Sequence, residues 1–248
     1  FKLKKIEEAI SDYKKAISID KNNYNAFFNL GNLYKEINKL DESIENLNEA
    51  IKINKNFYNA FHNRAVVKRL LFRFEDAIKD FDEALRINPK YFDSLFFKAI
   101  TQLKIGDYEN GWKNYEYRWE TTNFPSPKRK FIQPCWNGTD NLNDKIILLH
   151  GEQGLGDNIH FSRYFGLIKS KAKKTILQID KKLVQLFKDS SFGNYIFSND
   201  EELPNFDIHC PLLSLPYKFS TTLKSIPFSD KYLFPNVERV IKWKKTFD

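Results

Sequence analysis

The sequence predicts an α plus α/β chain, with a solenoid of helical repeats over residues 1–122 and a domain built on a parallel sheet over residues 145–248. Three observations carry this. A 34-residue period runs through the first half, short aliphatic runs alternate with helix-like runs through the second, and a stretch with prolines at 125, 127 and 134 lies between them.

The period superposes Ala16, Ala50 and Ala84, and the same offset aligns Ala9 with Ser43 and Ala77. It also aligns Gly31 with Ala65 and Ala99, Phe27 with Phe61 and Leu95, and Tyr13 with Leu47, Phe81 and Tyr115. A stacked helix-turn-helix unit needs small residues where its two helices cross and large ones where the next unit packs. These columns supply both. The pattern resembles the tetratricopeptide repeat family, in Phe27-Phe-Asn-Leu-Gly-Asn-Leu-Tyr34, Asp41-Glu-Ser-Ile44 and Ala50-Ile-Lys-Ile-Asn54. A partial first unit is followed by 24–57, 58–91 and 92–122. The last unit is expected to depart from the pattern at Gly111, Arg118 and the cluster Trp112, Tyr115, Tyr117 and Trp119, as a terminal repeat that caps the stack. The resemblance implies a protein or glycan acceptor bound through the concave face, and packing alone explains most of the aromatic residues.

Residues 123–144 read as an extended connector, because its prolines disfavour both helix and central strand. Its basic triplet Lys128-Arg-Lys130 reads as a solvated charge run. Beyond it, Lys145–His150, Thr175–Asp180, Tyr195–Ser198 and Phe206–Cys210 are expected as strands, with helices over Asn158–Ser170 and Lys182–Lys188. Strands alternating with helices build a Rossmann-like parallel sheet, whose ligand crevice lies at the carboxyl ends of its strands.

Composition narrows the function classes. No apolar run approaches the roughly 20 residues that span a bilayer, and no signal segment opens the chain. Cys135 and Cys210 lack metal spacing and suit a reducing compartment, so a cytoplasmic location is expected. The net charge is +8, and residues 121–248 carry 19 basic and 13 acidic side chains against 21 and 19 before them. That favours an anionic partner for the second half, with nucleic acid a weaker reading than a lysine-coated surface. The chain opens without Met inside a helical pattern and stops as a new amphipathic segment begins, so it is expected to be a piece of a longer polypeptide.

The segment Gly151-Glu-Gln-Gly-Leu-Gly-Asp157 follows the first strand and opens a helix. A mononucleotide P-loop would end in Gly-Lys-Ser/Thr, whereas Gly156 is followed by Asp and Asn. A dinucleotide loop is conceivable because Asp180 ends the next strand where a ribose-binding acid would sit, yet the glycine order is G-x-x-G-x-G and Asp157 puts negative charge at the helix mouth. Asp157 itself suits two roles: it is a common N-cap type, and an ionised carboxylate beside a crevice can also take a proton from a hydroxyl. His160 and Tyr164 are expected on its helical face, with Arg163 beside them.

Trp136-Asn-Gly138, Leu148–Tyr164 and His209-Cys-Pro-Leu-Leu-Ser-Leu-Pro216 resemble the amino-terminal half of the glycosyltransferase domain that follows tetratricopeptide repeats in many bacterial proteins. Gly156-Asp-Asn-Ile-His160 is similar to the G-D-x-x-H segment of the heptosyltransferase family. The resemblance covers about residues 134–243 and implies half of a GT-B architecture, with a second Rossmann-like domain expected after Trp243. It implies an inverting sugar transfer from a nucleotide-sugar donor to an acceptor hydroxyl, in which Asp157 is the general base. Glu152, Gly154, Gly156, His160 and Arg163 would line the acceptor side. The resemblance implies neither cofactor nor metal, and it implies that this stretch alone does not turn over. Two rivals are a non-catalytic interaction scaffold with a degenerate Rossmann-like module, and a dinucleotide-binding protein.

Overall fold

The computed structural model describes residues 2–122, 124–190, 192–227 and 231–247, and the chain divides into two compact units, 1–124 and 125–248.

The first unit consists of antiparallel helices: α1 (Lys2–Ile19), α2 (Tyr24–Glu36), α3 (Leu40–Ile53), α4 (Tyr58–Leu70), α5 (Phe74–Ile87), α6 (Phe92–Ile105) and α7 (Tyr108–Tyr115), the last running into a 3₁₀ turn at Glu116–Glu120. The small-residue columns do what the period requires. Ala50, Ala65, Ala77, Ala84 and Ala99 are all fully buried. A Cβ on Gly31 would lie 2.9 Å from Leu47 Cγ, and Ser43 Oγ donates to Gly31 O at 2.7 Å. Leu47 and Phe81 fill the large column, also without exposure. Burial of these apolar faces, more than helix propensity, holds such short helices together.

Gly111, expected as a departure, continues the Ala9, Ser43 and Ala77 column: a Cβ there would sit 2.7 Å from Leu103 Cδ2. Arg118 does depart as expected, standing where the period would place the alanine of Ala50 and Ala84. Arg118 is fully buried, bonds to Tyr115 O at 3.3 Å and Glu116 Oε1 at 2.9 Å, and lies 4.7 Å over the Trp119 ring. Its charge is neutralised and its plane stacked, the conditions under which a guanidinium tolerates burial.

The second unit contains a four-stranded all-parallel sheet of order β3-β2-β1-β4, with β1 (Ile146–His150), β2 (Lys174–Ile179), β3 (Ile196–Ser198) and β4 (Ile208–Pro211). Ile147–His150 and Thr175–Ile179 are buried without alternation, because both faces of the sheet are covered. The helices are α8 (Leu155–Phe161), α9 (Phe165–Lys169), α10 (Lys181–Lys188), α11 (Leu215–Lys218) and α12 (Val237–Phe247). The single helix expected over Asn158–Ser170 is two helices separated by a 3₁₀ turn at Ser162–Tyr164.

The 123–144 stretch is also more than a free connector, and Asn123 lies outside the described residues. Cys135 bridges His209 in parallel alongside β4, Trp136 is buried, and the Trp136 indole donates to Asp140 O at 3.1 Å. Pro134 lacks an N–H, but its carbonyl accepts from His209 N at 3.0 Å, so the proline occupies an edge position that needs no donor. No described helix is long and apolar enough to cross a membrane.

Candidate functional site

In the sheet the chain proceeds from β1 to β2 and β3 on one side, then returns to place β4 on the other. The switch in direction therefore falls between β1 and β4, where open parallel sheets form their crevice at the carboxyl ends of the strands. His150 ends β1, and its Nε2 lies 3.1 Å from Nδ1 of His209 on β4. One ring must donate and the other accept, so the pair holds at most one proton in that contact. Burial pulls the His209 pKa below its ordinary value. Phe131 packs on both rings, with centroids 5.4 Å and 4.9 Å away. The sequence does not announce this pairing, because no spacing rule links residues 59 apart on separate strands.

The basic triplet contains a second unforeseen residue. Arg129 donates to Gln178 Oε1 near the end of β2 at 2.7 Å and to Asn199 Oδ1 just past β3 at 2.8 Å. Ser126 Oγ accepts from the Gln153 amide at 2.7 Å. Residues 126–131 thus run across the carboxyl side of the sheet. Burial lowers the Arg129 pKa, opposed by the nearby Glu152 charge.

The glycine loop leaves β1 directly. Gly151 allows close approach of Asn158, whose amide nitrogen donates to Gly154 O at 2.7 Å and Glu152 O at 3.3 Å. Asp157 occupies the first turn of α8, half-buried, and accepts from the Gly154 amide at 3.4 Å. Gly154 has no side chain to return a bond, so only the carboxylate half of a capping box exists. Glu152 is buried, whereas Gly154, Gly156 and His160 are exposed. Burial and Arg163 lower the His160 pKa against the attraction of Asp157, so these three side chains share one electrostatic neighbourhood.

Tyr164 does not join them. It is 3% exposed and its hydroxyl donates to Thr221 Oγ1 at 2.9 Å, because the 3₁₀ turn rotates it off the Asp157 face into the core. Arg163 lies 5.3 Å over the Tyr232 ring and donates from Nε to His160 O at 2.9 Å. Asp180, the residue a dinucleotide reading would need, caps α10 by accepting from Lys182 N at 2.9 Å. Among the described residues no group of three or more His, Cys, Asp or Glu side chains is placed to hold a metal ion.

A separate polar seam occurs in the first unit, where α2, α4 and α6, the first helices of successive repeats, lie side by side. Asn63 donates to Asn32 Oδ1 at 2.7 Å across α2 and α4, and His62 Nδ1 lies 2.8 Å from Ser94 Oγ across α4 and α6. His62 is boxed by Phe81, Tyr91 and Phe97 and is pushed down to a pKa of about 4, first by burial and then by the Lys35 and Arg69 charges, against the pull of Asp93. Burial also lowers the pKa of Lys35 and of Arg69. Arg69 lies 5.2 Å over Phe97, and its Nε is buried without a hydrogen-bond partner among the described residues.

Comparison with known proteins agrees with the repeat architecture. A TPR repeat family model matches residues 1–37 and 31–68, and a tetratricopeptide repeat model matches 58–91. Solved structures similar to the chain include a crystal structure of MamA at 22% identity and TM-score 0.44, covering 45% of this chain and 66% of that one. A tetratricopeptide repeat protein from Parabacteroides merdae aligns at 21% identity and TM-score 0.43, covering 45% of each chain. The first TPR of Spaghetti (RPAP3), bound to the HSP90 peptide SRMEEVD, aligns at 25% identity and TM-score 0.40 over 42% of this chain and 83% of that one. The chain thus spans less than two thirds of the MamA structure. No curated protein sequence matches it. Residues 1–91 carry tetratricopeptide repeats.

Proposed function

We propose that the repeat unit is a protein-interaction scaffold that takes an acidic, extended segment of a partner along the seam of its first helices. The observation that carries this is the pair Lys35 and Arg69. They stand one period apart, both are half-buried, and among the described residues neither has a carboxylate in salt-bridge contact. A desolvated cation with an unsatisfied donor is costly unless an anion arrives. Charge-assisted bonds from a partner's Asp or Glu to the Lys35 ammonium and the Arg69 guanidinium would offset the desolvation of both cations.

Fluorescence anisotropy with a labelled Glu-rich peptide tests this. Each of Lys35→Gln and Arg69→Gln is expected to weaken binding about tenfold, the size of a lost charged hydrogen bond, and added salt is expected to weaken it further. Peptide binding indifferent to both substitutions would refute the reading.

A second reading concerns the 125–248 unit: the acceptor half of an inverting glycosyltransferase, with Asp157 as general base and a nucleotide sugar as donor. What favours it is the position of Asp157. Its carboxylate is partly accessible, starts a helix just past the carboxyl end of β1, and is held by one long hydrogen bond. Such a group is positioned and still open to a substrate hydroxyl. In the whole protein, Asp157→Asn is expected to slow sugar transfer by about 10²–10⁴-fold. A folded variant that transfers sugar at the normal rate would leave the scaffold reading alone. The dinucleotide reading has less support, since Asp180 is engaged as a cap.

A further inference from the structure

Ser162, Arg163 and α9 line a cavity of about 210 Å³ together with Lys231, Tyr232 and Phe234. Phe165, Phe192 and Phe234 make its floor apolar. Among the described residues its charged lining consists of Arg163, Lys169 and Lys231, with no Asp or Glu. A neighbouring cavity of about 340 Å³ shares Phe165, Lys169 and Phe192 and adds Lys173 and Lys174, again without a carboxylate among the described residues. Tyr232 is tied back by its hydroxyl, which donates to Ile159 O at 2.8 Å, so this part of the lining is anchored to the unit's own backbone.

Several surface lysines of the first unit are paired with acids, as Lys52 is with Glu49 and Lys79 with Asp76. Around the cavity, Arg163, Lys169 and Lys231 have no ion-pair partner among the described residues. A cationic rim without counter-charges raises the local concentration of anions, and an aromatic floor rewards removal of apolar surface from water. A purely hydrophilic anion would leave the floor wet, and a neutral hydrocarbon would leave the rim unmatched.

We propose that this cavity binds a small amphipathic anion, a short alkyl or aryl body carrying a carboxylate or phosphate head. The apolar body lies on Phe165, Phe192 and Phe234. The head group meets Lys169 and Lys231, with Arg163 held in place over Tyr232. The site shares Arg163 with the acceptor side of the glycosyltransferase reading, but it rests on neither Asp157 nor the helix seam of the repeats.

Titration of the 248-residue protein with octyl phosphate, octanoate, octanol and inorganic phosphate, followed by amide chemical shifts, tests the proposal. Saturable binding of octyl phosphate or octanoate is expected, with the perturbed amides clustered at 162–169 and 231–234, and the stronger of the two identifies the preferred head group. Octanol and inorganic phosphate are each expected to bind at least about tenfold more weakly, a difference of about 1.4 kcal/mol. The double variant Lys169→Glu/Lys231→Glu is expected to lose about tenfold or more in affinity while keeping its dispersed spectrum. Octanol binding as tightly as octyl phosphate would reduce the site to a greasy surface, and equal binding of inorganic phosphate would reduce it to a charge patch. Either result overturns the proposal. So does shift perturbation located elsewhere in the wild-type protein, a result that needs no variant to fold.

Discussion

Asn158 occupies the space that a side chain on Gly151 would need: a Cβ placed there would lie 1.7 Å from Asn158 Oδ1. The asparagine cannot simply swing away, because its amide nitrogen is held by the carbonyls of Gly154 and Glu152. Gly151→Ala is therefore expected to destabilise the second unit by about 1–3 kcal/mol, as overpacking of a tight site does. Combining it with Asn158→Ala should recover part of the loss, and a double-mutant cycle by urea unfolding measures that coupling. Strict additivity of the two changes would show that the two residues do not compete for space.

Asp80 holds α4 to α5 through two cations. Arg64 donates to both of its oxygens, at 2.8 Å and 2.6 Å, and Lys68 Nζ lies 2.8 Å from Oδ2, with Asp80 only 4% exposed. Removing the carboxylate leaves two partly desolvated cations facing each other. Asp80→Ala is expected to cost about 3 kcal/mol, towards the lower end for a broken buried pair because Arg64 and Lys68 can still reach water. Asp82→Ala removes a pair of similar length to Lys98, yet Asp82 is exposed, so the expected cost is below about 1 kcal/mol. Chemical denaturation midpoints of the two variants check the contrast.

The turn between the two helices of each repeat places one residue in the left-handed region, at Asn38 (φ 58°), Phe72 (φ 59°) and Gly106 (φ 88°). Asparagine and glycine adopt this conformation readily, whereas a phenylalanine pays about 1–2 kcal/mol for it. Phe72 is 77% exposed and recovers little by burial, apart from an edge contact with Phe74 at 5.9 Å. Phe72→Asn is expected to raise stability by about 0.5–1 kcal/mol, read as a higher Tm. A lower Tm would mean that the Phe74 contact outweighs the backbone strain.

His62 makes stability depend on pH. Its pKa is about 4 in the folded chain against an ordinary 6.5, so between those values the unfolded chain binds the proton more readily than the folded one does. Its contribution is complete above pH 6.5 and declines as the pH falls towards 4, by up to roughly 3 kcal/mol. Carboxylates also titrate at the lower end, so the test is a difference. The stability of wild type minus that of His62→Gln should fall across this window, and a difference that stays level would refute the assignment.

Much of the fold was legible because it obeys short-range periodicities. The 34-residue columns named the crossing positions correctly down to individual alanines, since a stack of identical units repeats its steric demands at a constant interval. The four strands could also be placed to within about two residues, because unbroken aliphatic runs mark strands covered on both faces. Reading Gly111 as a departure from the pattern failed, because a glycine and an alanine answer the same steric demand. The apolar pattern after the glycine loop is continuous and so predicts a single helix. The 3₁₀ turn that interrupts it has no side-chain signal of its own and moves Tyr164 from the expected site into the core.

The sequence by itself determined the repeat register, the βα alternation and the place of the glycine loop, since these follow from spacing along the chain and the size of single side chains. Tertiary structure alone decided which polar groups meet. It paired His150 with His209 and laid Arg129 across the strand ends. It also left Lys35 and Arg69 half-buried beside a neutral His62, and gathered Arg163, Lys169 and Lys231 around one apolar floor. Those relations join residues tens of positions apart through strand order and helix stacking. Their energies depend on burial and distance, which no local pattern of residues encodes.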